Sequence, residues 1–221
     1  MRIAVALCAL VTGSAAHAAG DISLQISAGQ LMTTKISEDG QPLGPDRVFS
    51  GMFSSVSGTW YTDEPGIQIE PGTLAPVSTL QFFFTRALRQ WNGSSFELVS
   101  GPRVGATFGP PTNSILTPVT DTDSPNLLFP VESNGGLHDH PDWVLEGFDP
   151  GVNPFYFLVE ARFSTTQPGL EATSPFYIVF GVNGDEAELD ALEQYVRDQV
   201  IPSPAGPLAM AGLTWMIRRR R

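Results

Sequence analysis

Two histidines two residues apart, with carboxylates beside them, are the part of this chain best equipped for chemistry. The stretch Gly135-Gly-Leu-His138-Asp-His140-Pro-Asp142-Trp143 holds both histidines of the central region; the third, His17, lies near the amino end. In a strand, side chains at i and i+2 leave the same face, so His138 and His140 can turn both imidazoles toward one ion. Imidazole nitrogen suits zinc and related divalent metals, and Asp142, in the turn that follows, is the third donor expected. Two histidines and one local acid remain an incomplete zinc set. The competing arrangement is structural: one histidine points inward to a backbone carbonyl while the other is exposed beside the turn made by Pro141. Short motifs of this kind leave both arrangements open.

Other chemistries lack their residues. There is no Gly-x-Ser-x-Gly elbow, no His-Glu-x-x-His helix, no phosphate-cradling glycine loop with lysine, and the sole cysteine, Cys8, lies near the amino end. A carbohydrate hydrolase working through two carboxylates leaves no local signature and would need a pair converging in a cleft. Asp121 and Asp123, beside Pro125, offer oxygen ligands without the regular spacing of a calcium loop, so a solvated loop is expected there. The expectation is a protein that is not an enzyme.

The elements that must position the histidines read as β structure. Short alternating or apolar runs recur between turn signals, and the first, Asp21 to Ser27, puts Ile22, Leu24 and Ile26 on one face. Further strands are predicted at Leu31 to Ile36, Val48 to Ser55, Thr59 to Thr62 and Gly66 to Glu70. A long strand from Thr79 to Trp91, the dipeptide Asn92-Gly93 and a run from Phe96 to Ser100 predict a hairpin. Residues 101 to 130 read as a long connection with short strands near Ala106, Ile115 and Leu127, followed by strands at His138 to Leu145, Phe155 to Ser164 and Pro175 to Val182. The fold class predicted is all-β, an antiparallel β-sandwich of immunoglobulin-like or jelly-roll type over residues 19 to 183. One amphipathic helix over residues 184 to 201 closes it. Asp185 is its expected N-cap, with Glu188 reaching back as in a capping box, and Leu189, Leu192, Val196 and Val200 form its packing stripe. Glu186, Glu188, Asp190 and Glu193 are expected to be solvated charge near the positive end of the helix dipole.

Arg2, the apolar run from Ile3 to Val11 and the Ala16-His17-Ala18 pattern predict a secretory signal peptide over residues 1 to 18. Its apolar run is about half the ~20 residues that a bilayer core requires, which favours cleavage over anchoring. Cys8 follows bulky Leu7 inside that run, so lipid attachment is not expected. Of the 12 basic residues five lie at the two ends, leaving seven in the central region against 23 acidic ones. Such a balance excludes nucleic acid and anionic lipid as partners, because phosphate recognition relies on clustered lysine and arginine. With no cysteine beyond the leader, stability rests on apolar burial, for which 14 Phe and 4 Trp provide the surface.

The last segment, residues 202 to 221, begins with Pro202-Ser203-Pro204, continues through an apolar run from Leu208 to Ile217, and ends in Arg218, Arg219, Arg220 and Arg221. The run is shorter than the ~20 residues of a stable span, and the basic end marks a cytoplasmic interface. In these features the tail resembles the PEP-CTERM sorting signals of exported bacterial proteins, in their short planctomycete-like form, with Pro202-Ser203-Pro204 where the usual pattern has a glutamate between prolines. The resemblance implies passage through the secretion translocon and transient anchoring in the inner membrane by a helix of residues 208 to 217. It also implies processing by an exosortase-like membrane transpeptidase and a final place at the cell surface or in the extracellular matrix. An unprocessed transmembrane tail anchor is the alternative. Separately, His138-Asp-His140-Pro-Asp142-Trp143, Phe148-Asp-Pro150-Gly151 and Phe157-Leu-Val-Glu-Ala-Arg-Phe163 are similar to a bacterial surface-anchored protein domain, which implies an extracellular β-sandwich and carries no catalytic residue. The expected function is that of a structural or adhesive protein of the cell envelope, with envelope polysaccharide as a partner. The alternative is an extracytoplasmic zinc module built on His138 and His140.

Overall fold

The computed structural model describes residues 20 to 201, apart from 38, 39, 111, 112 and 150. The expected signal peptide, the Pro202-Ser203-Pro204 motif, the apolar run and the arginine end lie outside the described residues. Within them, no helix is long and apolar enough to cross a membrane.

The described chain is β-rich, as its punctuated alternation demands. In order, the strands are β1 (Ile22–Ser27), β2 (Gln30–Ile36), β3 (Pro42–Pro45), β4 (Val48–Val56), β5 (Thr59–Thr62), β6 (Ile67–Ile69), β7 (Thr79–Phe84) and β8 (Arg89–Trp91). They continue as β9 (Phe96–Leu98), β10 (Arg103–Thr107), β11 (Ser114–Leu116), β12 (Leu127–Pro130), β13 (Leu137–Asp139), β14 (Asp142–Glu146), β15 (Phe155–Thr165) and β16 (Phe176–Val182). Helix α1 (Glu186–Tyr195) follows and runs into a π-helical turn at Val196–Val200.

Two sheets share these strands. A 5-stranded sheet has the order β13-β6-β1-β2-β3, and an 11-stranded sheet has the order β11-β10-β14-β5-β4-β16-β15-β7-β12, with β8 on β15 and β9 on β8. The all-β class holds, but the pairing is not antiparallel throughout: β1 runs parallel to β6, and β16 runs parallel to β4. The large sheet also curls. Its two end strands are drawn together by Asn113, whose side-chain amide donates to the Leu128 carbonyl at 3.0 Å and accepts from the Leu128 N–H at 3.2 Å. That amide does for the seam what a peptide group would do, covering edge groups that otherwise invite pairing with another chain.

Burial explains where each run sits. β16 is buried along its whole length, its sequence FYIVFGV being apolar on both faces. One face, with Phe176, Ile178 and Phe180, joins an interior shared by both sheets, where Trp143 lies 5.6 Å from Phe82 and 5.4 Å from Phe180, centroid to centroid. The other face, with Tyr177 and Val179, packs under Leu189, Leu192 and Val196 of the helical segment. The expected N-cap is present, since Asp185 accepts from the Glu188 N–H at 2.7 Å. Glu188 does not reach back. Its carboxylate instead accepts from the Tyr156 hydroxyl at 2.9 Å, and that hydroxyl accepts from the Asp185 N–H at 3.2 Å, so Tyr156 stands between the two halves of the capping box.

Glu193 departs further from the expectation of solvated helix charge. It is 4% exposed, beside Lys35 at 6%. Lys35 Nζ lies 3.3 Å from its carboxylate, Arg197 donates to it at 2.6 Å, and the Ser50 hydroxyl donates to it as well. Arg197 also pairs with Asp46 at 2.8 Å. The helical segment is thus fastened to the small sheet through the Lys35 ion pair, to the β3–β4 connection through Asp46, and to β4 through hydrogen bonds with Ser50 and the Val48 carbonyl, as well as by its apolar stripe. The residue departs from expectation because Glu193 directly follows Leu192 on the inward side, where a carboxylate stays charged only with cations to meet it.

Three strand boundaries differ from the sequence reading for local reasons. The predicted run from Thr79 to Trp91 divides into β7 and β8 because β15 pairs with them at different places, through residues 161 to 165 and 157 to 158. No strand is predicted at Pro-Leu-Gly-Pro, which forms β3, an edge strand where prolines are tolerated. The predicted strand from His138 to Leu145 breaks at Pro141, and this break creates the site.

Candidate metal centre

Proline at 141 has no N–H to give to a ladder, and there the chain leaves the small sheet for the large one. β13 therefore ends at Asp139 and pairs only with β6, His138 facing Gln68 across the ladder, while β14 starts at Asp142 in the other sheet. His138 is held in a strand and His140 in the crossover just beyond it. Their imidazoles face each other, with the two Nε2 atoms 3.3 Å apart, a separation at which one ring can donate an N–H to the other in the absence of an ion.

The far side of the His140 ring explains its orientation. Nδ1 lies 3.1 Å from the Asp63 carbonyl oxygen and 3.6 Å from Glu64 Oε1. A carbonyl only accepts, so Nδ1 carries the proton and Nε2 presents its lone pair to His138 and the space beside it. Carbonyl or carboxylate support behind a histidine is the usual outer layer of a metal site. The segment that provides it is anchored by Trp143, whose indole N–H donates to the Pro65 carbonyl at 3.1 Å.

The third residue placed to donate here is Asp21. A ligand atom from each of Asp21, His138 and His140 lies within 4.8 Å of the others, with both histidines exposed and Asp21 partly buried. Asp21 is aimed by the Gly66 N–H, which donates to Oδ1 at 2.9 Å. Asp142, the acid expected from the sequence, is elsewhere. Its carboxylate accepts from the Tyr61 hydroxyl at 3.1 Å, on β5 of the large sheet, because the break at Pro141 ends the alternation that would have kept Asp142 with the histidines. Burial and then that hydrogen bond push the Tyr61 phenol up to about 12.

Gly66 makes the approach of Asp21 and His140 possible. A Cβ there would lie 2.6 Å from His140 Cε1 and 2.7 Å from Asp21 Oδ1, both well inside contact distance. Asp21, Glu64 and Gly66 have no local signature that links them to a motif more than seventy residues away, and sequence reading did not find them. The one available signal was an acid immediately before an alternating strand.

Glu64 completes the electrostatics. Burial first, then the charge of Asp21 and a hydrogen bond to it, push its carboxyl up to about 7, while His140 and the Gly66 N–H pull the other way. A carboxyl whose folded pKa stands above its unfolded value of 4.5 gives its full stabilisation below that value and loses it as pH rises through about 7. The metal-free protein is therefore expected to lose stability over that window. Glu64→Gln, neutral at every pH, should raise Tm at about pH 8 and change it little at about pH 4. Equal shifts at both would contradict this assignment. Asp139 is also pushed up, chiefly by burial.

Asp121, the calcium alternative, is held as a structural acid. It meets Arg89 at 2.8 Å and accepts from the Ala87 N–H at 3.2 Å; the Arg89 hydrogen bond is the main reason its pKa is lowered.

No protein-family model matches the chain, and no curated protein matches it. Among solved structures, the CooA pilin subunit from enterotoxigenic Escherichia coli overlays 76% of this chain and 99% of its own, at 9% identity and a TM-score of 0.33. That overlay is too slight to carry function across. What the site can do rests on its own geometry.

Proposed function

We propose that this protein is an exported, non-enzymatic component of the cell envelope whose β domain binds a divalent metal of the zinc class through Asp21, His138 and His140. The observation that carries the metal reading is the pair of facing Nε2 atoms 3.3 Å apart. Two nitrogens each about 2.05 Å from a tetrahedral zinc stand about 3.4 Å apart, so the rings already have the spacing of one edge of the coordination tetrahedron. Nitrogen donors favour zinc and its neighbours over calcium and magnesium, which take oxygen. Zinc retention through gel filtration, measured by elemental analysis, is expected to be stoichiometric for the native protein and absent from the His138→Ala, His140→Ala double variant. Equal retention by both proteins would sink the proposal.

The surface role is supported by the two ends of the sequence and by the acidic, cysteine-free composition between them. On this reading the two sheets around one apolar interior serve as a sandwich-type scaffold of immunoglobulin-like or jelly-roll kind. The translocon exports the chain, an exosortase-like transpeptidase sorts it through residues 202 to 221, and structural or adhesive contact with envelope polysaccharide follows. Intact mass of the protein recovered from its host tests the sorting arm. Loss of about the first 18 residues and of everything beyond the Pro202 region is expected. Retention of Arg218 to Arg221 would replace sorting by a permanent tail anchor.

A further inference from the structure

We infer that the metal at Asp21, His138 and His140 is a latch on the edge of the small sheet, so that metal supply sets whether strand β13 is closed or frayed. The inference rests on the metal reading and goes beyond it, from binding to what binding controls.

Strand order places the ligands. β13 is an end strand of the small sheet, next to β6, which is next to β1. His138 is the middle residue of β13, His140 lies just past its end, and Asp21 immediately precedes β1. One ion held by all three spans from β13 to β1 across the start of β6, where Gly66 puts no side chain in the way. The ladders beneath that bridge are short. β13 pairs with β6 at Leu137, His138 and Asp139, and β6 pairs with β1 at Ile67, Gln68 and Ile69. Beyond these ladders the Ile22 N–H donates to the Gly66 carbonyl at 2.9 Å, and the Gly72 and Leu74 N–H groups donate to the Asn134 and Gly135 carbonyls at 2.8 and 3.1 Å. Elements with so few ladder bonds open locally far more readily than the whole domain unfolds, and an end strand has only one neighbour to hold it.

An ion that binds only the closed arrangement lowers the open population by the factor 1 + [L]/Kd. At a free concentration of about 100 times Kd the open population falls about 100-fold. The described domain contains no cysteine, so no disulfide performs this task. β15 and β16, each bonded on both sides within the large sheet, have nothing to gain from it.

Amide hydrogen exchange on the whole protein, with and without zinc, tests the latch, with calorimetry on the same samples reporting binding. Peptides covering residues 66 to 69 and 137 to 140 are expected to exchange about 100-fold more slowly at zinc near 100 times Kd, while those from β15 and β16 stay unchanged. In Asp21→Asn the two histidines still hold zinc more weakly, but protection at residues 66 to 69 should no longer follow it, because the ion has lost its tie to β1. Stoichiometric zinc binding with no change in exchange at residues 137 to 140 would overturn the latch and leave the metal reading standing. No zinc binding by the native protein would overturn both.

Discussion

Gly66→Ala is expected to weaken zinc binding by about 100-fold or more while leaving the fold in place. Loss of outer support alone typically costs a metal site 10- to 100-fold in affinity, and here a methyl group displaces two of the three donors themselves. The added Cβ meets the His140 ring and the Asp21 carboxylate, both side chains that can swing away, so the collision is relieved at the expense of the site and not of the sheets. Calorimetric titration with zinc gives the affinity, and circular dichroism confirms the fold. Native affinity in the alanine variant would show that the metal does not lie between Asp21 and His140. Glycine at this position is thus a functional residue with no functional group.

Glu193→Ala should be strongly destabilising. It removes a carboxylate that Lys35, Arg197 and Ser50 all address, and Lys35, 6% exposed, is left as a buried charge without its partner. Breaking such a pair from one side costs about 3–5 kcal/mol, a large part of the roughly 5–15 kcal/mol that holds a domain together. At this size that corresponds to a Tm lower by roughly 10 °C. Removing both charges is a different matter. Glu193→Leu with Lys35→Met replaces the pair by apolar volume, and exchanges of that kind are often neutral or stabilising, while Arg197 keeps Asp46. Thermal unfolding of the single and double variants measures the difference; a single variant within about 1 kcal/mol of the native protein would show that solvent screens the network.

Much of the scaffold was legible because it is written in short-range patterns. The Asn92-Gly93 turn between β8 and β9, the unbroken apolar run of β16 and the Asp185 cap each act within a few residues, and each is present. The alternation read at β1, by contrast, holds for Ile22 and Leu24, which are buried, but not for Ile26, which is exposed. What escaped depends on which segments meet. Whether Pro141 merely ends a strand or sends the chain to another sheet is decided by partners far along the chain, and that decision moved Asp142 away from the histidines and brought Asp21 to them. Glu193 has the same lesson. Its position beside Leu192 marks the inward side of the helix, but only the fold reveals that Lys35 waits there.

The site was half legible for the same reason. His138 and His140 announce themselves by spacing, whereas the carboxylate that joins them, the carbonyl of Asp63 that sets the tautomer of His140 and the glycine that lets them approach all come from other segments of the chain. A three-donor site whose members come from two distant segments cannot be read from either one of them. It can be recognised once the two nitrogens are seen at the spacing that a tetrahedral ion imposes.

X-ray absorption at the zinc edge of the zinc-loaded protein tests that recognition most directly. The expected spectrum contains two imidazole nitrogens at about 2.0–2.1 Å and carboxylate oxygen at about 2.0–2.2 Å, with one imidazole lost in His138→Ala and the carboxylate contribution lost in Asp21→Asn. A shell of oxygens without imidazole scattering, or a spectrum that neither substitution alters, would place the metal elsewhere and contradict the assignment of Asp21, His138 and His140 as its ligands.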